Sequence, residues 1–578
     1  EWDADNLAAA YRFFRLVEHR LQMMHQLQTH TLPDSDAEIT LLARRVSHGP
    51  LGAFTVESFV ETLSRHLNNV RAFADAFFAG ESVHPHSVLL MLPEDSERAV
   101  SILRQVGIAD VPRAMRTLHG MAYGSFPRLL DRRAREEFEK LLPFLLEDVA
   151  VTGDPDMTLV RIAQIAAAEK SESAFYRMLV DSPAARRLVV GIAGMSSLLT
   201  RELCAQIGVL DGLLGEGGAS GEAVDEMLAD VAEWERFSAR DAFAKGSAAS
   251  GERRNRQRQW FERLRLHAFA DTYRRGFQPG PHGLTGEKAR AAAARLHLAA
   301  ALDEVIPEKE RVAVFAMGSY GVGEPRITSD LDLLVVADDV ELPDLMQRVQ
   351  AINQWFSDGR ILKLDFRLRA EGASSPLVQD LAFYDAYFQT RASLWERVAF
   401  AKCAPWWGGE EVRRAFLRKL RAFVARPFSP DELGALAEMR RRVEGLAPKQ
   451  SAEWDTKRSA GGRYDIEYVV AVGMAATCTD RVDYFTMSTR ERVAALVGTG
   501  FLSEEEGTTL RDAADLFTRI EHFMELQEMT HPGSEEKAHW LGRHVARLGE
   551  AFGAAWSVVA LRDAKAAVRQ CYRRAVGG

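Results

Sequence analysis

The chain has 578 residues, 47% of them apolar and 27% charged; this is the composition of a soluble globular protein too long for one core, so three or four domains are expected. A net charge of -9 argues against a general nucleic-acid binder, and Cys204, Cys403, Cys478 and Cys571 are spaced neither as a zinc site nor as a disulfide framework. No apolar run approaches the roughly 18 residues of a membrane span and no signal peptide stands at the start, which points to no membrane partner and a reducing, cytoplasmic compartment; the opening Glu1 is expected to mark a fragment or a trimmed chain.

Most of the chain reads as helix. Leu, Ala, Arg and Glu dominate, and apolar residues recur at three- and four-residue spacing over 7–31, 52–80, 94–120, 126–151, 157–169 and 171–200. The Gly-rich stretch 214–221 reads as a loop. Residues 239–280 are helical and basic. Their run Arg253-Arg254-Asn255-Arg256-Gln257-Arg258 is read as a solvated face or an intramolecular ion-pair partner, since the whole is acidic. Gln278-Pro279-Gly280-Pro281-His282-Gly283 is a break, and one helix follows over 285–304. From 311 to 370, β-branched and apolar runs alternate with polar turns around one helix, 343–357, which predicts a small α/β sheet domain. From about 380 the pattern is helical to the end. The fold class expected is therefore mainly α with one α/β domain, helical bundles flanking a small mixed sheet. The boundaries expected are 1–50 for the tail of a first bundle, 51–283 for a helical linker or regulatory region, 284–425 for the α/β domain and 426–578 for a C-terminal bundle.

An internal repeat is legible. Phe14, Val17, Glu18 and His19 are followed by Thr29-His30-Thr31-Leu32-Pro33 and then Leu42-Ala43-Arg44-Arg45-Val46. Phe517, Ile520, Glu521 and His522 are followed by Thr530-His531-Pro532 and then Leu541-Gly542-Arg543-His544-Val545. Three elements in the same order point to a two-unit parent, each unit a sheet domain followed by a helical bundle, with this chain starting partway through the first. Glu18-His19 and Glu521-His522 fall in helices, where His is read as a packing residue.

The chemistry is concentrated in 311–368. An apolar strand ends in Gly318-Ser319, and Asp330-Leu331-Asp332 follows inside a second apolar run. A third run, 361–368, carries Asp365. Residues i and i+2 of a strand share a face, so Asp330 and Asp332 project together and repel unless a cation sits between them. Mg²⁺ (or Mn²⁺), which takes carboxylate and phosphate oxygens, suits that place, with Asp365 completing the metal and catalytic set. Gly318 lets backbone approach a phosphate, and Ser319 offers its hydroxyl and amide. Arg367 and Arg369 alternate with Asp365, so on a regular strand they share its face and can steady triphosphate charge or pair with a local carboxylate. Trp406-Trp407 is read as packing. Together these residues describe metal-dependent nucleotidyl transfer.

At this point the residues resemble the bacterial glutamine synthetase adenylyltransferase / adenylyl-removing enzyme family of the nucleotidyltransferase superfamily. The resemblance rests on Gly318-Ser319-Tyr320-Gly321-Val322-Gly323-Glu324-Pro325 with Ser329-Asp330-Leu331-Asp332-Leu333, and on Asp365-Phe366-Arg367-Leu368-Arg369 with Gly372 and Pro376-Leu377-Val378. Trp395-Glu396-Arg397 with Ala399 and Lys402 also contributes, as does Asp455, Lys457-Arg458 and Gly461-Gly462-Arg463 followed by Asp465-Ile466-Glu467-Tyr468. Ser319, Ala370, Ser375 and Arg463 depart from the family pattern at Lys, Pro, Gly and an apolar residue respectively.

The resemblance implies AMP transfer from ATP to a tyrosine of glutamine synthetase, controlling nitrogen assimilation. Gly318, Ser319, Arg367, Arg369 and Lys457 would bind nucleotide, with a PII-type signal protein and glutamine as further partners. By position the sheet domain corresponds to the second, adenylylating unit. Two alternatives share these residues: phosphorolytic removal of AMP, and a non-catalytic module that senses a nitrogen signal.

Overall fold

The computed structural model describes residues 2–577 apart from 26–31, 34, 48–53, 79–84, 93–95, 126–127, 207, 215–220, 238–247, 277–285, 373–374, 448–451, 482, 529–534 and 552–556. The expected break at 278–283, nearly all of the loop at 214–221 and the Thr-His segments of the repeat lie largely or wholly outside the described residues. The chain divides into two compact units, Glu1–Leu92 and Pro93–Gly578.

The first unit packs α1 (Trp2–His25), α2 (Asp36–Ser47) and α3 (Val56–Phe78). Phe13, Val17 and Leu21 recur every four residues along one face of α1 and meet Leu42, Ala43, Val46 and Phe59 in a single core.

The second unit opens with helices whose ends are written in short polar residues. α4 (Glu97–Gln105) and α5 (Val111–Tyr123) divide the expected helix 94–120. Gly107, at φ +88°, and Asp110, whose side chain accepts the Arg113 N–H, account for the division. A short antiparallel ribbon follows, β1 (Gly124–Ser125) with β2 (Arg128–Leu129), then α6 (Arg132–Ala150) and α7 (Pro155–Ala168). The expected helix 171–200 is three: α8 (Glu172–Asp181), α9 (Pro183–Met195) and α10 (Ser197–Ala205). Ser182 and Ser196 cap the last two.

After α11 (Val209–Leu214), α12 (Gly221–Phe237), α13 (Ala248–Arg274) and α14 (Glu287–Val305) pack together. The basic run on α13 serves this packing: Arg253 is buried between Glu235 at 2.8 Å and Glu304 at 2.7 Å, and Arg254 and Arg256 lie over Trp355 and Trp234. The ion-pair reading of that run therefore holds.

The sheet comes next. β3 (Val312–Ala316) is wholly buried and sits between antiparallel partners β4 (Leu331–Ala337) and β7 (Ala404–Gly408). The far edge of β4 is shared by two short parallel strands, β5 (Leu364–Asp365) at its start and β6 (Val378–Asp380) at its end. Between β3 and β4 runs the one-turn helix α15 (Gly318–Gly321); α16 (Leu342–Asp358) covers one face with α14, burying Leu345, Val349 and Ile352. β5 is much shorter than the expected run 361–368. The Arg367 N–H turns back onto Asp365 Oδ1 at 2.7 Å and ends the strand there.

Helices α17 (Leu381–Thr390), α18 (Leu394–Phe400) and α19 (Glu410–Val424) close the sheet domain. The C-terminal bundle comprises α20 (Pro430–Glu444), α21 (Arg463–Thr477), α22 (Thr489–Gly498), α23 (Glu504–Leu526), α24 (Glu535–Ala551) and α25 (Val558–Val576). Reciprocal Ser-Glu capping boxes start α20, α22 and α23. The architecture is mainly α with one mixed-sheet α/β domain, as the sequence leads one to expect. Among the described residues no helix is long and apolar enough to cross a membrane.

Candidate active site

The site grows from the end of β3. The Met317 N–H donates to the Asp332 carbonyl at 2.8 Å, and Gly318 then adopts φ +61°. A Cβ there would stand 2.7 Å from Asp332 Oδ2, the movable end of a side chain, so it is the left-handed backbone that calls for glycine. Ser319 occupies the first turn of α15. Gly321 lets that turn settle on the chain after α18, since its Cβ would fall 1.7 Å from the Lys402 carbonyl.

Asp332 of β4 and Asp365 of β5 are register partners in a parallel pair, so their side chains stand side by side. Asp330 lies two residues earlier, immediately before β4. Burial pushes the Asp332 carboxyl up to about 6, and the neighbouring Asp365 adds to the shift while Lys402 opposes it. At Asp365 burial also disfavours the charge, but Arg367 outweighs it and holds the carboxyl below the usual range: its Nε donates to Asp365 Oδ2 at 2.7 Å. Asp330 takes Lys363 Nζ at 2.5 Å and has Arg367 at 3.9 Å.

Two cationic side chains thus neutralise Asp330 and Asp365. Among the described residues no three acidic, His or Cys side chains converge on a point a metal could occupy. The donor chemistry nevertheless fits a hard divalent cation. Asp332 and Asp365 supply paired carboxylate oxygens, and Asp332, whose charged form is disfavoured first by burial and then by Asp365, would be favoured as a carboxylate by such a cation.

The remaining expected residues separate into two groups. Arg367 is exposed and joins the carboxylates. Arg369 does not share that face, because β5 ends at Asp365. It is buried, with its guanidinium on the Ser375 carbonyl at 2.9 and 2.6 Å and on the Phe366 carbonyl. Lys457 is exposed on the loop between α20 and α21, over the Tyr464 ring, and its charge acts on Asp332. Glu396 of the Trp395-Glu396-Arg397 motif accepts the Tyr387 hydroxyl at 2.8 Å and the Ser393 N–H at the start of α18. Trp406 and Trp407 pack in the core.

Lys402 and Glu467 carry a part that sequence reasoning did not assign. Lys402 Nζ meets Glu467 Oε1 at 2.9 Å, and Lys402 is the foremost cation acting on Asp332. Both stand in the quoted motifs, but they come together only when the chain after α18 meets α21. Arg463, the polar residue at an apolar family position, has a partner: it donates to Glu521 Oε2 at 3.0 Å and to the Thr518 hydroxyl at 3.0 Å. Beside Glu521, His522 is buried and pushed down to about 3 by burial and by Arg290 and Arg265, so its ring is neutral and packs. In the first unit His19 is exposed.

A strand–glycine turn, neighbouring carboxylates on two adjacent strands and a third carboxylate just before the first of these strands make up a nucleotidyltransferase-type arrangement. The comparisons with known proteins agree. Residues 288–419 match the glutamate-ammonia ligase adenylyltransferase family, and residues 1–78 and 435–573 match the GlnD PII-uridylyltransferase family. One family model thus covers both segments that carry the repeat. Relatives over most of the chain are named bifunctional glutamine synthetase adenylyltransferase/adenylyl-removing enzymes. The protein from Rhodopseudomonas palustris (strain HaA2) is 25% identical over 99% of this chain and 59% of its own length. Those from Thioalkalivibrio sulfidiphilus and Rhizobium meliloti are each 27% identical, over 91% and 90% of this chain and 58% and 54% of their own. The chain therefore spans under two thirds of these relatives, and its kinship with the glutamine synthetase adenylyltransferase / adenylyl-removing enzymes is borne out.

Proposed function

We propose that this chain is a metal-dependent adenylyltransferase that moves AMP from ATP to a tyrosine of glutamine synthetase. The observation that carries the reading is the register pairing of Asp332 with Asp365 beside Gly318. A divalent cation, Mg²⁺ or Mn²⁺, held by Asp332 and Asp365 with Asp330 alongside, would supply charge neutralisation at the triphosphate. The chain's own part is placement. Gly318 and Ser319 bring backbone to the phosphates, and Arg367, exposed and already beside the carboxylates, is placed to turn to phosphate oxygens. Lys402 and Lys457 add positive potential on the side of the C-terminal bundle. The tyrosine oxygen then displaces pyrophosphate from the α-phosphorus of ATP. The relatives' names support glutamine synthetase as acceptor, and the match to a PII-uridylyltransferase model supports a PII-type protein as partner; glutamine as effector and a cytoplasmic setting belong to the same proposal and rest on the sequence reading alone. The domain limits 284–425 and 426–578 are proposed as the working halves of the site.

The test is incubation of the chain with α-labelled ATP, Mg²⁺ and glutamine synthetase. Label on the synthetase that Asp330→Ala and Asp332→Ala abolish is the expected result; unlabelled synthetase sinks the reading. The relatives are named for both directions, so adenylylated synthetase with inorganic phosphate forms the second arm, and release of ADP there without forward transfer would assign the chain to AMP removal.

A further inference from the structure

The loop 323–329 runs from the glycine turn to Asp330, so its path decides where that carboxylate stands. It is gripped from the C-terminal bundle. Glu525 of α23 accepts the Ile327 N–H at 3.0 Å through Oε2 and the Thr328 hydroxyl at 2.5 Å through Oε1. Arg326 of the same loop approaches Glu521 Oε2 at 3.5 Å and Glu525 Oε1 at 3.8 Å. At the near end Glu324 accepts the N–H and hydroxyl of Thr489, the first residue of α22, at 2.9 and 2.8 Å. Within the loop Ser329 Oγ accepts the Arg326 N–H at 2.9 Å, and Arg290 donates to the Pro325 carbonyl at 3.1 Å.

Glu521 and Glu525 stand four residues apart on one face of α23, only 2% and 5% exposed. Burying a carboxylate is costly, and an apolar residue of similar size would often stabilise the fold as well or better. What the carboxylate at 525 supplies is geometry. Its two oxygens take one backbone N–H and one hydroxyl from consecutive residues, which fixes the loop two residues before Asp330.

We infer that Glu525 is a positioning residue for nucleotidyl transfer: from the C-terminal bundle it sets the loop 324–329, and through it Asp330, while Arg326 and Glu521 brace the same loop. The inference rests on the transfer reading above. It makes the bundle part of the working site although Glu525 touches none of the three aspartates.

The test uses the full chain with Glu525→Ala, Glu525→Gln, Thr328→Val and the pair Glu525→Ala/Thr328→Val. Melting curves, calorimetric binding of ATP with Mg²⁺, and the Mg²⁺ and glutamine synthetase dependence of transfer are recorded for each. Glu525→Ala is expected to raise the Mg²⁺ needed for half-activation several-fold and to lower kcat about tenfold, with KM for glutamine synthetase unchanged. Glu525→Gln keeps an acceptor and is expected to recover most of the loss. Thr328→Val is expected to show a smaller effect of the same kind, and the pair to be no worse than Glu525→Ala. Unchanged Mg²⁺ dependence in Glu525→Ala overturns the inference, as does a loss that affects every parameter alike and is not rescued by Gln. If Glu525→Ala does not fold, unchanged Mg²⁺ dependence in Thr328→Val overturns it. If the unmodified chain transfers no AMP, the transfer reading fails, and the calorimetric arm decides separately whether Glu525 governs metal–ATP binding; the absence of that binding in the unmodified chain overturns both.

Discussion

Asp332 stands half-buried beside Asp365 with its carboxyl pushed up to about 6, first by burial and then by the neighbouring carboxylate. Its folded-state pKa lies above the unfolded one, so the fold favours the protonated form. That contribution is fully present below about pH 4 and is lost as pH rises through about 6; above this the ionised group opposes folding by roughly 3 kcal/mol. Asp332→Asn keeps the shape and removes the charge. In the absence of divalent cations the variant is expected to melt a few degrees higher than the parent at pH 7.5. The two should converge toward pH 4. The same change should lower AMP transfer at least about 100-fold. An unchanged or lower melting temperature at pH 7.5 would show that Lys402 and Lys457 already compensate the charge. The site thus holds a carboxylate that the fold alone would sooner see neutral.

At the scale of elements, the loop between α20 and α21 shows how one buried side chain can seat a segment of the candidate site. Lys565 of α25 donates to the carbonyls of Ala452 at 3.2 Å, Glu453 at 2.7 Å and Asp455 at 3.0 Å, which uses all three of its protons. Burial pulls its pKa down to about 8. The loop closes at Gly461, where a Cβ would fall 1.8 Å from the Lys565 carbonyl. Lys565→Met conserves volume but strips three acceptors of their donor, and is expected to cost about 2–4 kcal/mol. Amide exchange over 452–462 should rise more than the global loss explains; an increase spread evenly over the chain would refute this account of the loop. The glycine turn at 318 and the Asp330/Asp332 pair were legible because their spacing is local, and Asp365 because it stands in an apolar run of its own. Lys402, Glu467 and Glu525 were not assigned, because each acquires its part only when elements far apart in sequence meet. The split of the expected helix 171–200 into three lies between these cases. Ser182-Pro183 and Ser196 are cap signals in plain sight, but the apolar periodicity running through them reads as one helix. The length expected for β5 failed because Asp365 binds the Arg367 backbone N–H, a side-chain contact that strand propensity does not report.

In the second unit as a whole, α23 links regions far apart in the chain. In its last two turns Glu521 and Glu525 grip the loop before Asp330, and its C-terminal end docks on α9 and α10. Two contacts at that dock contrast. Ser196 Oγ, fully buried, donates to the Leu526 carbonyl at 2.8 Å and also accepts the Leu199 N–H that starts α10. Arg201 and Glu528 form an ion pair at the rim, with side chains 58% and 48% exposed. The short pair looks the stronger of the two, yet water and salt screen it and two long side chains must be held still. Arg201→Ala is accordingly expected to change stability by less than about 0.5 kcal/mol. Ser196→Ala loses a helix cap and leaves a buried carbonyl without its donor, at a cost of about 1–3 kcal/mol. Denaturant midpoints for the two variants decide the ranking. If Arg201→Ala proves the more damaging and its effect shrinks in high salt, the joint between the α7–α10 region and the C-terminal bundle is electrostatic; the reverse ranking, unaffected by salt, places its strength in the buried hydroxyl.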